Sequence, residues 1–266
     1  ETWMRDPYAI YAKKILRLRA LDPIDADPGA ADRGRFIHAA LDAFLRDCPG
    51  VLPADAEARL IAFGRAAFGA ALERPGVRAF WWPRFLRIAR WFVAHERARR
   101  GTLGAIGSER SGRLVLAAPA GVFTLTAKAD RIDRLTAGGL ALIDYKSGTV
   151  PTSGDVEKGF SPQLPLEAAI AEAGGFAGLA AEPVVALEYW RLSGGDPAGE
   201  VSAPAEDDRA RAALIAEARA GLVRLVAHFD QRQTPYRAQP RPEKAPRHSE
   251  VAHLARIKEW ASGESE

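Results

Sequence analysis

Apolar residues recur at helical spacing through the first third of the chain. When residues 33–46 are placed 100° apart, their apolar side chains share one stripe, which comprises Phe36, Ile37, Ala40, Leu41 and Phe44. The same periodicity predicts three further helices, at residues 6–18, 54–72 and 83–99. The first part of the chain is therefore expected to be helical.

The pattern changes near Gly107, where short β-rich runs replace the helical repeat. These runs predict strands at residues 113–118, 122–132 and 140–146, which we expect to form an antiparallel meander. The remaining predicted elements are a helix at 163–173, a strand at 184–192 and a long helix at 207–231.

Prolines dominate the C-terminal segment. They predict an extended arm over residues 234–247, followed by a short helix over residues 249–260. Since no repeat or clean boundary divides the chain, we predict one domain over residues 1–266. Its parts are a helical region at 1–105, a core at 106–232 and the arm with its helix at 233–266. The predicted fold class is α/β (α+β), with a small mixed sheet flanked by helices.

The composition is that of a globular protein. Apolar residues make up 47% and charged residues 27% of 266 positions, and no apolar run approaches the roughly 18 residues that span a bilayer. We therefore expect no membrane association, and the use of a single cysteine favours a reducing, cytoplasmic location. The single cysteine, Cys48, excludes a disulfide framework and a four-cysteine iron–sulfur cluster. Because the chain begins at Glu1 without a methionine, we expect it to be a fragment of a longer subunit.

The sequence Asp144-Tyr145-Lys146 ends a predicted strand and is the first candidate for chemistry. The net charge of +3 says little, but only seven of the 37 basic residues are lysine, and lysine can do chemistry that arginine cannot. Residues two apart on a strand share a face, so Asp144 and Lys146 project together while Tyr145 points into packing. Chance alone supplies about 0.9 acid-x-Lys triplets at this composition. A surface ion pair on an edge strand therefore remains an alternative.

Asp130 strengthens the case for chemistry at this strand end. It lies on the preceding strand, and antiparallel neighbours bring opposed Cβ atoms to about 5 Å. Two carboxylates so close repel unless a cation lies between them, and oxygen ligands suit Mg²⁺ or Mn²⁺ better than zinc. Asp133 has the opposite parity from Asp130, so we expect it at the surface at a strand end.

Three more polar residues have both a functional and a structural interpretation. His38 shares a helix face with Gly34, which would let the helix approach another backbone closely, yet His38 also fits a hydrogen-bonded core histidine. Gln163 follows Ser161-Pro162 and opens a helix, where a polar residue needs no special role. Glu109 precedes the first predicted strand, and we interpret it as structural.

The four motifs together resemble the RecB-like branch of the PD-(D/E)XK nuclease superfamily. They occur in that branch's order: Gly34…His38, Ala129-Asp130-Arg131-Ile132-Asp133, Asp144-Tyr145-Lys146-Ser147-Gly148 and Gln163. Residues 3–8, 234–236 and 253–260 also look like the C-terminal nuclease domain of AddB subunits, which belong to helicase–nucleases that process DNA double-strand breaks.

The resemblance implies a restriction-endonuclease-like core and a Mg²⁺-dependent DNA exonuclease, with Mn²⁺ as a substitute metal. It implies DNA as the substrate, as single strands or unwound ends, and an AddA-like helicase–nuclease subunit as the partner. The implied metal ligands are His38, Asp130, Asp144 and the carbonyl oxygen of Tyr145. The implied catalytic residues are Asp130, Asp144, Lys146 and Gln163.

Two departures from the resemblance are visible. In many relatives an iron–sulfur cluster ligated by four cysteines fixes the C-terminal arm, and a chain with one cysteine cannot form it. We therefore expect packing of Pro235, Tyr236 and Trp260 to hold the arm. Glu167 stands where the family often has tyrosine, and its role is open. A catalytically silent DNA-end clamp or scaffold and a stand-alone RecB-like exonuclease are the alternative functions.

Overall fold

The structure is a computed structural model that describes residues 1–21, 27–246, 248–257 and 259. The α-helices are α1 (Thr2–Arg5), α2 (Pro7–Ile10), α3 (Ala30–Asp47), α4 (Ala56–Phe68), α5 (Trp82–Arg99), α6 (Ser153–Glu157), α7 (Gln163–Glu172) and α8 (Asp208–Phe229). The strands are β1 (Leu103–Ala118), β2 (Gly121–Leu135), β3 (Leu140–Lys146), β4 (Val184–Arg191) and β5 (Glu200–Ser202). Short 3₁₀ or π segments are Tyr11–Ile15, Gly69–Glu73, Val77–Trp81, Arg100–Thr102 and Pro242–Lys244.

Within the described residues, the five strands form one sheet in the order β1-β2-β3-β4-β5. The first three strands are antiparallel, β3 and β4 are parallel, and β5 is antiparallel to β4. The parallel pair needs a crossover connection, which α6 and α7 supply. The predicted meander and the predicted mixed sheet flanked by helices are both confirmed.

The sheet is covered by helices on both faces, and β3 lies at its centre. Ile143 and Tyr145 pack into a core built with α3, α4 and α5, whereas Leu142 packs into a second core built with α7 and α8. Because both faces of β3 are buried, its sequence is a continuous apolar run without alternation. Asp144 is placed in this run and is buried with it.

Strand β1 is longer than predicted, because it begins at Leu103 and not at residue 113. Its first half contains Gly104 and Gly107 and lacks alternating apolar residues. The backbone pairing with β2 continues through this half, since ladder hydrogen bonds do not depend on side chains. The missed half of β1 includes Glu109.

The N-terminal helix predicted at residues 6–18 is shorter, because the helical segment runs from Pro7 to Ile15, and Asp6 separates it from α1. Asp6 has a non-helical backbone (φ −154°, ψ 75°), and Pro7 begins a new helix, a position where its missing N–H costs nothing. The helical segment ends at Ile15, and Arg17 has a positive φ of 58°. No helix in the described residues is long and apolar enough to cross a membrane.

The C-terminal arm packs against the N-terminal helices. The Tyr236 ring lies 5.1 Å from the Phe229 ring and 6.0 Å from the Tyr11 ring, so Tyr236 packs as expected. The Arg5 guanidinium donates hydrogen bonds to the carbonyls of Phe160 and Lys244. Residues 250–256 form turns where a helix was predicted. Trp260, the third residue expected to hold the arm, lies outside the described residues.

Candidate active site

The C-terminal end of β3 and the adjoining part of β2 bring the predicted carboxylates together. The hydrogen-bonded ladder between β2 and β3 ends at the pair Arg131↔Ile143. One residue beyond this pair, β2 carries Asp130 and β3 carries Asp144. Asp130 Oδ2 accepts a hydrogen bond from the Tyr145 N–H at 2.8 Å, which satisfies a backbone donor beyond the end of the ladder. Asp130 is therefore held against β3, as the strand register predicted.

Helix α3 brings His38 to the same strand end. The Nε2 atom of His38 lies 3.0 Å from the Tyr145 carbonyl oxygen, and its Nδ1 atom lies 3.3 Å from Asp130 Oδ1. Gly34 permits this approach, because a Cβ atom there would lie only 3.2 Å from the Ser147 hydroxyl oxygen. Burial lowers the pKa of His38, but the hydrogen bond and charge of Asp130 outweigh it and the net shift is upward.

Glu109 joins this group, although the sequence analysis interpreted it as structural. It lies on β1 between the register pairs Ser108↔Arg131 and Arg110↔Ala129, and is therefore opposite Asp130. Ligand atoms of His38, Glu109 and Asp130 all lie within 4.8 Å of one another. The signal that would have found it is the register of a longer β1, which the glycine-rich sequence obscures.

Asp144 and Lys146 project from β3 on one face, as predicted. Lys146 Nζ lies 2.6 Å from Asp144 Oδ2 and donates a hydrogen bond of 3.2 Å to Gln163 Oε1. Gln163, at the start of α7, donates in turn from Nε2 to Glu167 Oε1 at 3.1 Å. The Tyr145 ring points to the other face, where it packs edge-on against Trp190.

Burial dominates the electrostatics of two acids in the site. It raises the pKa of Asp144 to about 6; Lys146 opposes this rise and the charge of Asp130 adds to it. Burial also raises the pKa of Glu167 to about 8, against the hydrogen bond from Gln163. Within the described part of the chain, Asp144 Oδ1 is buried without a hydrogen-bond partner, and Oδ2, also buried, forms an ion pair with Lys146 Nζ at 2.6 Å.

The donor set fits a hard divalent cation. Asp144 offers two buried oxygens, and His38, Glu109, Asp130 and the Tyr145 carbonyl add one nitrogen and further oxygens. Oxygen-rich sets of this kind suit Mg²⁺ or Mn²⁺. His38 and the Tyr145 carbonyl, whose Nε2 and oxygen lie 3.0 Å apart, would both be near such an ion.

Asp133 is not the surface residue that its parity suggested, because its side chain is fully buried. It faces α5 and accepts from Arg131 Nε at 2.7 Å, and Arg99 lies 3.1 Å from its other oxygen. Arg131 in turn donates to Glu96 at 2.6 Å. Arg99 and Glu96 come from α5, which is distant in the sequence, so the strand pattern alone could not reveal all the charges that surround buried Asp133.

The comparison with known proteins shows the family of the chain. A model of the PD-(D/E)XK nuclease superfamily matches residues 1–245. Uncharacterized proteins of Rickettsia bellii and Rickettsia typhi are each 31% identical to the chain, over 176 and 182 residues. An uncharacterized protein of Rickettsia conorii is 29% identical over 180 residues. The alignments cover 66% of the chain and 21–22% of each relative, so the chain spans about a fifth of the relatives' length. The chain belongs to the PD-(D/E)XK nuclease superfamily.

Proposed function

We propose that the chain is a metal-dependent nuclease that hydrolyses phosphodiester bonds of DNA. The observation that carries this proposal is the convergence of Asp130, Asp144 and Lys146 with His38 at one end of the sheet. Members of the superfamily to which the chain belongs are typically nucleases, which supports the same activity. A scaffold would need neither a buried carboxylate nor a lysine held beside it.

Asp130, Asp144, His38 and the Tyr145 carbonyl would hold Mg²⁺, for which Mn²⁺ would substitute. Glu109 is added to this ligand set because of its place beside His38 and Asp130. When bound, a divalent ion polarises a phosphate and lowers the pKa of a bound water towards neutrality. Asp144 would give up its proton on binding such an ion, because only the carboxylate is a good ligand.

Lys146 would act on the attacking water or on the phosphate. Its ammonium has three donors, of which one is hydrogen-bonded to Gln163 and one is directed towards Asp144. The third is free to hold a water in line or to stabilise charge that develops on the phosphoryl oxygens.

Gln163 would keep Lys146 in place, and Glu167 would orient Gln163. The Gln163 amide nitrogen donates to Glu167, so its oxygen faces Lys146. With a pKa raised to about 8, Glu167 is mostly neutral near pH 7 and adds little repulsion against an approaching phosphate. A buried carboxyl can therefore stand where the resembling family often has tyrosine.

We further propose the biological setting that the sequence resemblance implies. The chain would be the nuclease domain of an AddB-type subunit that degrades single-stranded or unwound DNA ends exonucleolytically during double-strand break repair, in the cytoplasm, with an AddA-like partner. An alignment with only about a fifth of each relative is what a domain within a longer protein would produce. Co-purification with a helicase subunit would support this setting over a stand-alone exonuclease.

The activity is tested by Asp144→Ala and Lys146→Ala. Each variant should abolish Mg²⁺-dependent digestion of linear single-stranded DNA while keeping the circular dichroism spectrum of the parent. Lys158→Ala is the matched control, because Lys158 is exposed and makes no contact with the site in the described residues. Undiminished cleavage by either site variant would refute the assignment.

A further inference from the structure

A polar cavity opens next to the residues of the proposed active site. It has a volume of about 620 Å³, within the range of ligand sites, and lies beyond the end of β3. Its lining includes Arg33, Arg84, Arg191, Glu200, Ser147 and Thr149. We call it the arginine cleft.

The arginine cleft begins at the residue after Lys146. Ser147 lines it, and successive Cα atoms lie about 3.8 Å apart. Arg191 is the register partner of Lys146 on β4, and the Leu192 N–H donates to the Lys146 carbonyl at 2.8 Å. The cleft and the catalytic lysine therefore share one rigid strand end.

The arginines of the cleft carry positive charge that acidic side chains do not balance. Three arginines against Glu200 give a net lining charge of +2 (3 − 1), and Arg191 lies 3.6 Å from Glu200 in a half-exposed pair. Such an exposed pair is weak. Neither Arg33 nor Arg84 forms a salt bridge with any residue that the structure describes.

Arg33 is the best-placed group for an incoming anion. Its Nη2 donates to the Ser147 carbonyl at 2.6 Å, which fixes the guanidinium against the end of β3. Its Nε is buried and, among the described residues, has no hydrogen-bond partner. Burial, and then the charge of Arg84, lower the pKa of Arg33, as expected where two guanidiniums face each other without a carboxylate.

We propose that the arginine cleft binds a backbone phosphate of the DNA strand, adjacent to the phosphate that is cleaved. This inference rests on the proposed nuclease function and names a subsite for its substrate. Guanidinium groups match phosphate oxygens in a forked geometry, and serine and threonine hydroxyls add hydrogen bonds. Contacts of this kind position a strand without reading its bases, so the subsite predicts binding that is independent of sequence.

The test measures binding apart from cleavage. Fluorescence anisotropy of a labelled oligothymidylate, recorded in EDTA, gives Kd across a series of salt concentrations. Arg33→Gln combined with Arg84→Gln should weaken binding at least about tenfold and reduce the slope of log Kd against log salt by about 0.7, the value for one lost phosphate contact. Arg84→Gln alone should lower the slope by about half that amount. Because Arg84 is exposed, this single variant keeps the test valid if replacing the partly buried Arg33 disturbs the fold.

The matched control removes two arginines from other surfaces. Arg90 and Arg224 are 80% and 64% exposed, and changing both to glutamine alters the net charge equally. An equal loss of affinity in the control and cleft variants, or an unchanged slope in the cleft variants, would overturn the proposal. Displacement of the oligonucleotide by inorganic phosphate at matched ionic strength would also overturn it, by making free phosphate the ligand.

Catalysis gives an independent readout. In Mg²⁺ the cleft variants should raise KM for single-stranded DNA far more than they lower kcat, because the cleft binds the strand and not the reacting atoms. Different results refute the two hypotheses. Equal salt slopes in the parent and the cleft variants would refute the phosphate subsite, whereas DNA cleavage by Asp144→Ala would refute the proposed nuclease function.

Discussion

Replacing Asp144 by asparagine should stabilise the metal-free protein while abolishing cleavage. Asp144 is 1% exposed, and burial raises its pKa from 3.8 to about 6. Ionising this carboxyl therefore costs free energy in the folded state that it does not cost in the unfolded chain. Asparagine has the same shape as the neutral acid and never ionises, so the variant escapes this cost.

The size and sign of the effect follow from the two pKa values. The difference of about 2 pKa units, at about 1.4 kcal/mol per unit, gives about 3 kcal/mol. The attraction of Lys146 is already included in the folded pKa. Because the folded state binds the proton more tightly, the stability of the parent falls as the pH rises from about 4 to about 6. The advantage of the variant should be below about 1 kcal/mol near pH 4 and reach about 3 kcal/mol near pH 8.

Urea unfolding in EDTA measures this difference, since chelation keeps divalent ions from offsetting the cost. Asp55→Asn is the control, because Asp55 is 59% exposed in a surface pair with Arg59 and should change stability by less than about 1 kcal/mol. Equal unfolding midpoints of the parent and Asp144→Asn near pH 8 would show that the ionised, buried carboxylate does not destabilise the folded protein. This result would refute the prediction.

Two further predictions concern the buried charges and the pH dependence of the site. Glu96→Gln should destabilise the protein by about 3–5 kcal/mol in urea unfolding, because the buried Arg131 guanidinium loses one of its carboxylate partners. The control Glu57→Gln, in the surface pair with Arg90, should destabilise it by less than about 1 kcal/mol. Similar losses in both variants would contradict the account of the buried network. Mn²⁺ affinity, measured by calorimetry, should fall as the pH drops through about 6, where Asp144 takes up its proton; an affinity unchanged between pH 7 and pH 5 would exclude Asp144 as a ligand.

Local periodicity made the centre of the site predictable. The two-residue repeat of a strand placed Asp144 and Lys146 on one face, and the register of neighbouring strands placed Asp130 next to β3. The helical repeat paired Gly34 with His38, and close packing at Gly34 is what brings His38 to the strand end. These relations depend only on residues close together in the chain or on adjacent strands.

The parts that were missed depend on contacts between distant segments. Glu109 was set aside because its half of β1 has glycines in place of an apolar pattern, and only pairing with β2 brings it to Asp130. Asp133 was placed at the surface because nothing near it in the sequence shows that α5 supplies Arg99. The arginines of the cleft come from two helices and a strand, so the fold alone could group them.

The most direct test of the central claim is anomalous diffraction from crystals of the protein soaked in Mn²⁺. We expect one strong peak bound by His38, Asp130, Asp144 and the Tyr145 carbonyl, with Glu109 as a further ligand. Ligand oxygens that share one ion lie no more than about 4.4 Å apart, at about 2.2 Å per bond. Absence of a peak at this strand end, or carboxylates of Asp130 and Asp144 held well beyond that separation, would contradict a metal-dependent nuclease centre.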